Sequence, residues 1–255
     1  FFFSSIPFLT LKTFNFVNEF LINLRFMQTV TTVTFFSFTT NKFWAFKQMG
    51  IAPLKLGNIK GLKFFKFLGT GGGSGFSLWP DFSTYAFMGV WEQEVDFNNF
   101  IEQNPIFLAY KKNASSQRNL ILTPIASHGK WGGINPFEQE QSIRNKLNLG
   151  RKAVVITRAS LRWSRLISFW LSVPAASKAI QNASGVQYYK GIGEWPFIQQ
   201  ATLSIWDDFD SVNSFAYKGK QHADIVKKTR SKKWYKEDLF SRFYLVSDKT
   251  ISLRV

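Results

Sequence analysis

The chain has no cysteine, which removes disulfides, thiolate zinc sites, iron–sulfur ligation and a cysteine nucleophile together. Histidine is nearly absent: His128 and His222 are the only two in 255 residues, too few for a histidine-rich metal cage. Acidic residues are scarce as well, with 16 Asp plus Glu against 32 Lys plus Arg and a formal charge of +16. Such a surface attracts anionic partners by long-range steering. Nucleic acid, an anionic membrane leaflet and an acidic redox protein all meet that condition, and charge alone does not choose among them. A clean apolar run is also lacking. Residues 1–26 are apolar but interrupted by Lys12, Asn15, Asn18, Glu19 and Asn23, whereas a spanning helix needs about 20 apolar residues. They have neither the basic start nor the small-residue cleavage site of a signal peptide. We expect an N-terminal extension here, either foreign to the native protein or a peripheral membrane helix. Lack of cysteine is compatible with a reducing cytoplasm, and we expect a cytoplasmic protein, peripheral at the inner membrane surface if it meets a bilayer.

Aromatic side chains are plentiful, and 29 phenylalanines provide enough apolar surface for a core without staples. An internal repeat organises them. FMGVWEQEVDFNNF (87–100) echoes TLSIWDDFDSVNSF (202–215), setting Trp91 against Trp206 and Phe100 against Phe215 at one offset. KFWAF (42–46) resembles ISFWL (167–171), and FFK (64–66) matches YYK (188–190), in the same order. Apolar periodicity predicts strands at 29–38, 62–69, 84–91 and 119–127, with helices over 43–50 and Val95–Lys111. The second half repeats the order: strands at 153–161, 185–193, 199–206 and 241–247, with helices over 165–173 and Asp210–Lys233.

This is β-α-β-β-α-β twice, the ferredoxin-like unit. The expected fold is therefore α+β, with units at 27–137 and 153–255 joined by a polar linker at 138–152. A single such sheet leaves one face uncovered. Two in one chain cover each other by packing as a dimeric α+β barrel.

Several motifs have plain structural readings. GTGGGSGF (69–76) lacks the Lys-Ser/Thr ending of a phosphate loop and runs into a strand, so we read a hairpin. Asp207, Asp208 and Asp210 suit the capping turn of the last helix. No G-x-S-x-G elbow exists, and carboxylate spacing is undistinguished. KKTRSKKWYK (227–236) has the basic and aromatic ingredients of a nucleic-acid surface, but lysines near a helix C-terminus are favoured without any partner. His128, beside Gly129 and Lys130, reads as an exposed turn residue.

His222 differs from these. Val212, Phe215, Gly219, His222, Ile225, Val226 and Thr229 share one helical stripe at spacings of three and four. A lone histidine there is either a hydrogen-bonded core residue or a ligand. Gly219, one turn earlier, leaves room for something flat, and a haem held through one axial histidine needs only that protein ligand.

The blocks MQTVTTVTFFSF, WAFKQMG, LKFFKFLGTGGGSGF, AVVITRASLRWSRLISFW, YYKGIGEWPFIQQATLSIW and QHADIVKKTRSKKWYKEDLFSRF resemble, in order and spacing, the spheroidene monooxygenase family of carotenoid oxygenases. The resemblance runs from Met27 to Val246. It implies a haem b enzyme that uses O2 and electrons from a reduced, acidic ferredoxin to hydroxylate or ketolate an acyclic carotenoid. It also implies His222 as the iron ligand, with Gly219, Phe215 and Val226 beside the cofactor. Arg158, in TRAS, is an inward or edge cation on the first strand of the second unit and a candidate for a haem propionate or for polarising bound oxygen; the other reading is an exposed strand arginine. Three departures bear on substrate: Ser74 in the glycine loop, the polar linker, and richness in Phe, Lys, Asn and Ile. The rival readings are an aldoxime-dehydratase-like haem enzyme on a small substrate, and a non-catalytic protein binding haem or nucleic acid.

Overall fold

The computed structural model describes residues 29–73, 77, 79–137, 152–195, 197–218 and 234–253. The first unit contains β1 (Val30–Ser37), α1 (Lys42–Lys55), β2 (Leu62–Gly71), β3 (Pro80–Trp91), α2 (Glu94–Gln103), α3 (Pro105–Asn113) and β4 (Ser116–Gly129). The second contains β5 (Ala153–Leu161), a 3-10 turn (Trp163–Arg165), α4 (Leu166–Trp170), α5 (Val173–Gln181), β6 (Val186–Trp195), β7 (Gln199–Trp206), α6 (Phe209–Asn213), a π-helical turn (Ser214–Lys218) and β8 (Tyr235–Ser252). The expected extension at 1–26, and the linker apart from Lys152, lie outside the described residues.

All strand pairings are antiparallel, and the strands close into one barrel in the order β1-β3-β2-β6-β7-β5-β8-β4. Within it the two units present the same local order, β4-β1-β3-β2 and β8-β5-β7-β6, so the α+β architecture of two ferredoxin-like units in one barrel is as the repeat predicts. Registers coincide residue for residue. Trp91 faces Val30 as Trp206 faces Ala153, and a bulge between Leu62 and Phe64 has its counterpart between Val186 and Tyr188. By this register Phe64, Phe65 and Lys66 are equivalent to Tyr188, Tyr189 and Lys190, as the FFK/YYK echo predicts.

The two seams between units are unequal. β4 and β8 pair from Ser116↔Ser252 to Gly129↔Leu239, whereas β2 and β6 meet at Gly69↔Gly193 and Thr70↔Ile192. The short seam is bracketed by reciprocal ion pairs: Lys66 of the first unit reaches Glu194 of the second at 2.6 Å, and Lys190 of the second reaches Asp81 of the first at 3.1 Å.

Strand alternation sends one set of side chains into the barrel and the other toward the helices. The barrel holds Val33, Leu68, Met88, Leu120, Ile156, Leu203 and Phe243 among others. On the outside of the first unit, Phe36, Phe67, Phe87, Phe100 and Phe107 form a continuous aromatic core beneath α2 and α3. Here the sequence expectation of one helix over Val95–Lys111 is corrected. Pro105 has no N–H to continue the ladder, and Asn104 Oδ1 accepts from the backbone of Ile106 (3.0 Å) and Phe107 (3.4 Å), starting a second helix.

Candidate cofactor face of the second unit

The outer face of the second sheet is built unlike that of the first. By register, Phe36, Phe67 and Phe87 become Ala159, Gly191 and Thr202, and Tyr85 becomes Gln200. In the first unit those rings interlock: Phe87 lies 5.1 Å from Phe67 and 4.9 Å from Phe107, and Phe36 lies 5.4 Å from Phe107. In the second, apolar packing among the described residues divides into two clusters. One surrounds Trp206 and Val212, and the other surrounds Phe169 and Trp234. Thr202 stands between them, 4% exposed, and its hydroxyl has no hydrogen-bond partner among the described residues. Three rings' worth of volume has thus been withdrawn from one patch, and a buried hydroxyl has been left there.

The rim of this face keeps the first unit's design. Phe215, on the π-helical turn, packs on Trp206 at 5.2 Å, as Phe100 packs on Trp91 at 5.0 Å. The Trp206 ring N–H donates to Ser204 Oγ at 2.9 Å, where Trp91 donates to Thr32 Oγ1 at 2.9 Å. Asp208 caps α6 by accepting from Ser211 N at 2.7 Å. That bond, the Ser211 hydroxyl and the Asp210 backbone hold its carboxyl below the ordinary value. The capping role expected of the Asp207–Asp210 turn thus falls to Asp208. The helix expected over Asp210–Lys233 starts at Phe209 and turns π-helical at Ser214. Gly219, His222 and Val226 lie outside the described residues, as does the basic run up to Lys233.

Arg158 occupies a different place. It has the alternation of Val154 and Ile156 and so points into the barrel, away from the helices, where it is 5% exposed. Its guanidinium pairs with Glu237 and lies over the Trp131 ring, 5.6 Å from the centroid. Burial alone would raise the Glu237 carboxyl. The N–H groups of Gly132 and Gly133, at 2.9 and 2.8 Å, and the Arg158 charge outweigh it and hold the group below its ordinary value. Trp131 in turn donates to Glu194 at 2.6 Å, linking this group to the Lys66 pair. Sequence reasoning missed Glu237 and Glu194; the FFK/YYK echo marks an inward lysine at the same position in each unit but does not name the carboxylate that pairs with it. The exposed strand arginine considered from sequence is therefore not what Arg158 is.

His128 is exposed, next to last in β4 and opposite Phe240. β2 and β3 pair as the expected hairpin, with Gly72 N donating to Trp79 O at 2.7 Å, while Ser74, Gly75 and Phe76 lie outside the described residues. Among the described residues no three His, Asp or Glu side chains converge in a way that could hold a metal ion. No helix among them is long and apolar enough to cross a membrane.

A closed barrel of two ferredoxin-like units, with one outer face packed and the other thinned, defines a single-chain dimeric α+β barrel protein. An aldoxime dehydratase solved in complex with butyraldoxime shares that fold, with a TM-score of 0.55 at 11% identity over 89% of this chain and 84% of that one. A second aldoxime dehydratase structure gives a TM-score of 0.54 at 10% identity, over 89% and 85%. No family model matches the chain. In sequence it is 32% identical over 222 residues to the spheroidene monooxygenase of Cereibacter sphaeroides, covering 86% of this chain and 67% of that protein. It is 30% identical over 219 residues to the spheroidene monooxygenase of Rhodobacter capsulatus, covering 85% and 90%. The chain belongs to the spheroidene monooxygenase family and is an oxidoreductase.

Proposed function

We propose that this protein is a haem-dependent monooxygenase that hydroxylates or ketolates an acyclic carotenoid with O2 and electrons from a reduced ferredoxin. The observation that carries the reading is the exchange of Phe36, Phe67 and Phe87 for Ala159, Gly191 and Thr202 at equivalent positions of the two units. A flat apolar group needs a smooth, thinned wall of this kind. The offset that relates Trp91 to Trp206 and Phe100 to Phe215 also relates Phe107 to His222. Phe107 is the ring that closes over Phe36 and Phe87 in the first unit. We therefore assign His222 as the residue that would hold the iron of such a cofactor, with Phe215, Gly219 and Val226 as the residues that would lie beside it. Haem b bound there supplies the dioxygen chemistry.

The protein's own residues do the rest in this reading. Apolar side chains around Trp206 and Phe169 exclude water and align a long chain of conjugated carbons. The Thr202 hydroxyl is the polar group available to a bound ligand. In each hydroxylation one oxygen atom enters the carotenoid and the other leaves as water, which requires two electrons and two protons from outside; a keto group takes a second such round at the same carbon, followed by loss of water from the geminal diol. The charge of +16 suits an acidic ferredoxin as donor and a location at the cytoplasmic face of the inner membrane. To Arg158 we assign a positioning role for β5 through Glu237, in place of a contact with cofactor or oxygen.

The test is the absorption spectrum of the purified protein with added haem, reduced and with carbon monoxide, for wild type and His222→Ala. We expect a Soret band in the wild type and its loss or marked shift in the variant. A band unchanged in His222→Ala would overturn the axial assignment, and no band in either would overturn the haem reading. Oxygen uptake with reduced ferredoxin and an acyclic carotenoid, against an aldoxime control, separates monooxygenase from dehydratase.

A further inference from the structure

Around the short β2/β6 seam the surface is aromatic and uncovered. Phe46 of α1 meets Phe82 of β3 at 5.8 Å, and Trp170 of α4 meets Phe197 at 6.0 Å. These rings line one cleft of about 370 Å³ across the seam together with Trp195. Trp195 also borders the adjoining depression with Trp163 and Arg162. Trp163 is 74% and Trp195 65% exposed, and the outer faces of α1 and α4 add Leu54, Ile167 and Leu171, each more exposed still. An apolar surface of this extent is uncommon on a soluble monomer and marks an interaction site.

Its charge pattern narrows the occupant. No Asp or Glu occurs between Lys42 and Pro80 or between Lys152 and Gly193, the stretches that supply both helices. The two carboxylates that line the cleft, Asp81 and Glu194, are each neutralised by a lysine from the opposite unit. Among the described residues no carboxylate pairs with Lys42 or Lys47 of α1, where Lys47 Nζ lies over the exposed Phe43 ring at 5.3 Å, or with Arg165 at the start of α4. Tryptophan and phenylalanine flanked by unopposed lysine and arginine match the headgroup layer of an anionic bilayer, where rings enter the interface and cations meet lipid phosphates.

We propose that this seam is the face by which the protein docks on an anionic lipid surface, with Trp163 and Trp195 seated in the interface. The inference deepens the functional reading, since an apolar substrate is delivered from a bilayer, but its test uses neither haem nor carotenoid. The full chain as isolated is sedimented with vesicles of phosphatidylcholine, and of phosphatidylcholine with phosphatidylglycerol, at low and high salt. We expect binding to the anionic vesicles that weakens with salt as the charges are screened. Replacing Trp163 and Trp195 together by Ser is expected to lower vesicle affinity by about tenfold or more, and Lys42→Glu with Lys47→Glu to remove the preference for anionic lipid. Ile251→Ser, an exposed apolar residue at the opposite β4/β8 seam, is expected to leave binding unchanged.

Failure of the wild type to bind anionic vesicles would overturn the proposal, as would equal binding by the double tryptophan variant. A concentration-dependent dimer abolished by that variant, without vesicle binding, would assign the face to a second copy instead. Binding of a ferredoxin that the double tryptophan variant loses, again without vesicle binding by the wild type, would overturn the proposal and assign the face to the redox partner. The Soret band, recorded in parallel on the same samples, reports on the haem reading independently of every one of these outcomes.

Discussion

Thr202→Phe puts back, in the second unit, the ring that Phe87 supplies in the first. If the space over Thr202 is reserved for a ligand, the new side chain fills it in the protein without haem. Burying a phenylalanine contributes about 1.5–3 kcal/mol. Removing a buried hydroxyl that lacks a partner relieves about 1–3 kcal/mol more, though the two effects overlap on one site. A gain of about 2–3 kcal/mol is a reasonable expectation, and for a chain of this size it corresponds to a rise in Tm of about 4–12 °C. If protein side chains already fill the space, the same substitution overpacks it and destabilises by about 1–3 kcal/mol, so the sign decides. The assay is thermal unfolding of the haem-free protein, followed by haem titration monitored at the Soret band. We expect a higher Tm and a loss of haem affinity of about a hundredfold or more, equivalent to about 2.7 kcal/mol. A lower Tm with undiminished haem binding would refute the assignment of this face.

The reverse change in the first unit, Phe87→Ala, is expected to lose about 3–5 kcal/mol in urea or heat denaturation, because Phe87 touches Phe65, Phe67, Phe100 and Phe107. Thr202→Ala at the equivalent position removes a buried methyl together with the hydroxyl, two opposing effects, and is expected to change stability by less than about 1 kcal/mol. Gly129→Ala is expected to destabilise: φ is +92° and the new Cβ would sit 2.2 Å from the Asp238 carbonyl oxygen, so urea midpoints drop by an amount exceeding the usual glycine-to-alanine effect of about 1 kcal/mol. For Glu237 the folded carboxyl is held below its ordinary value. Its contribution is therefore present above the unfolded carboxylate value of about 4.3 and is lost as pH falls through the folded value. Urea midpoints of wild type and Glu237→Gln should differ at neutral pH, by about 1 kcal/mol after screening of a partly exposed group, and converge in acid. A gap that widens on acidification would contradict the pairing with Arg158.

Much of the architecture was legible because the repeat preserves bulky landmarks. Trp91 and Trp206, with Phe100 and Phe215, fix the same strand-to-helix corner in both units, and apolar alternation reveals each strand. The split at Asn104–Pro105 was readable in principle, since a proline behind an asparagine is a helix start, but the apolar stripe continues across it and masks the break. The site was less legible for a physical reason. It is made of small residues, and Ala159, Gly191 and Thr202 announce nothing until register shows which phenylalanines they replace. TRAS alone left Arg158 either inward or at an edge, and its alternation with Val154 and Ile156 decides for the barrel interior. Glu237 and Glu194 become visible only once barrel closure brings distant segments of chain together.

Both units being carried by one polypeptide has a consequence for what the barrel can tolerate. A pair of identical subunits closing the same eight strands would carry every substitution twice. Trading three core phenylalanines for small residues sacrifices on the order of 10 kcal/mol of packing, as much as a typical domain's whole stability of about 5–15 kcal/mol. Made in two places, that loss would leave no intact half to hold the barrel together. Fused in a single chain, the aromatic half keeps its packing while the other half is free to carry Ala159, Gly191 and Thr202 in place of its rings.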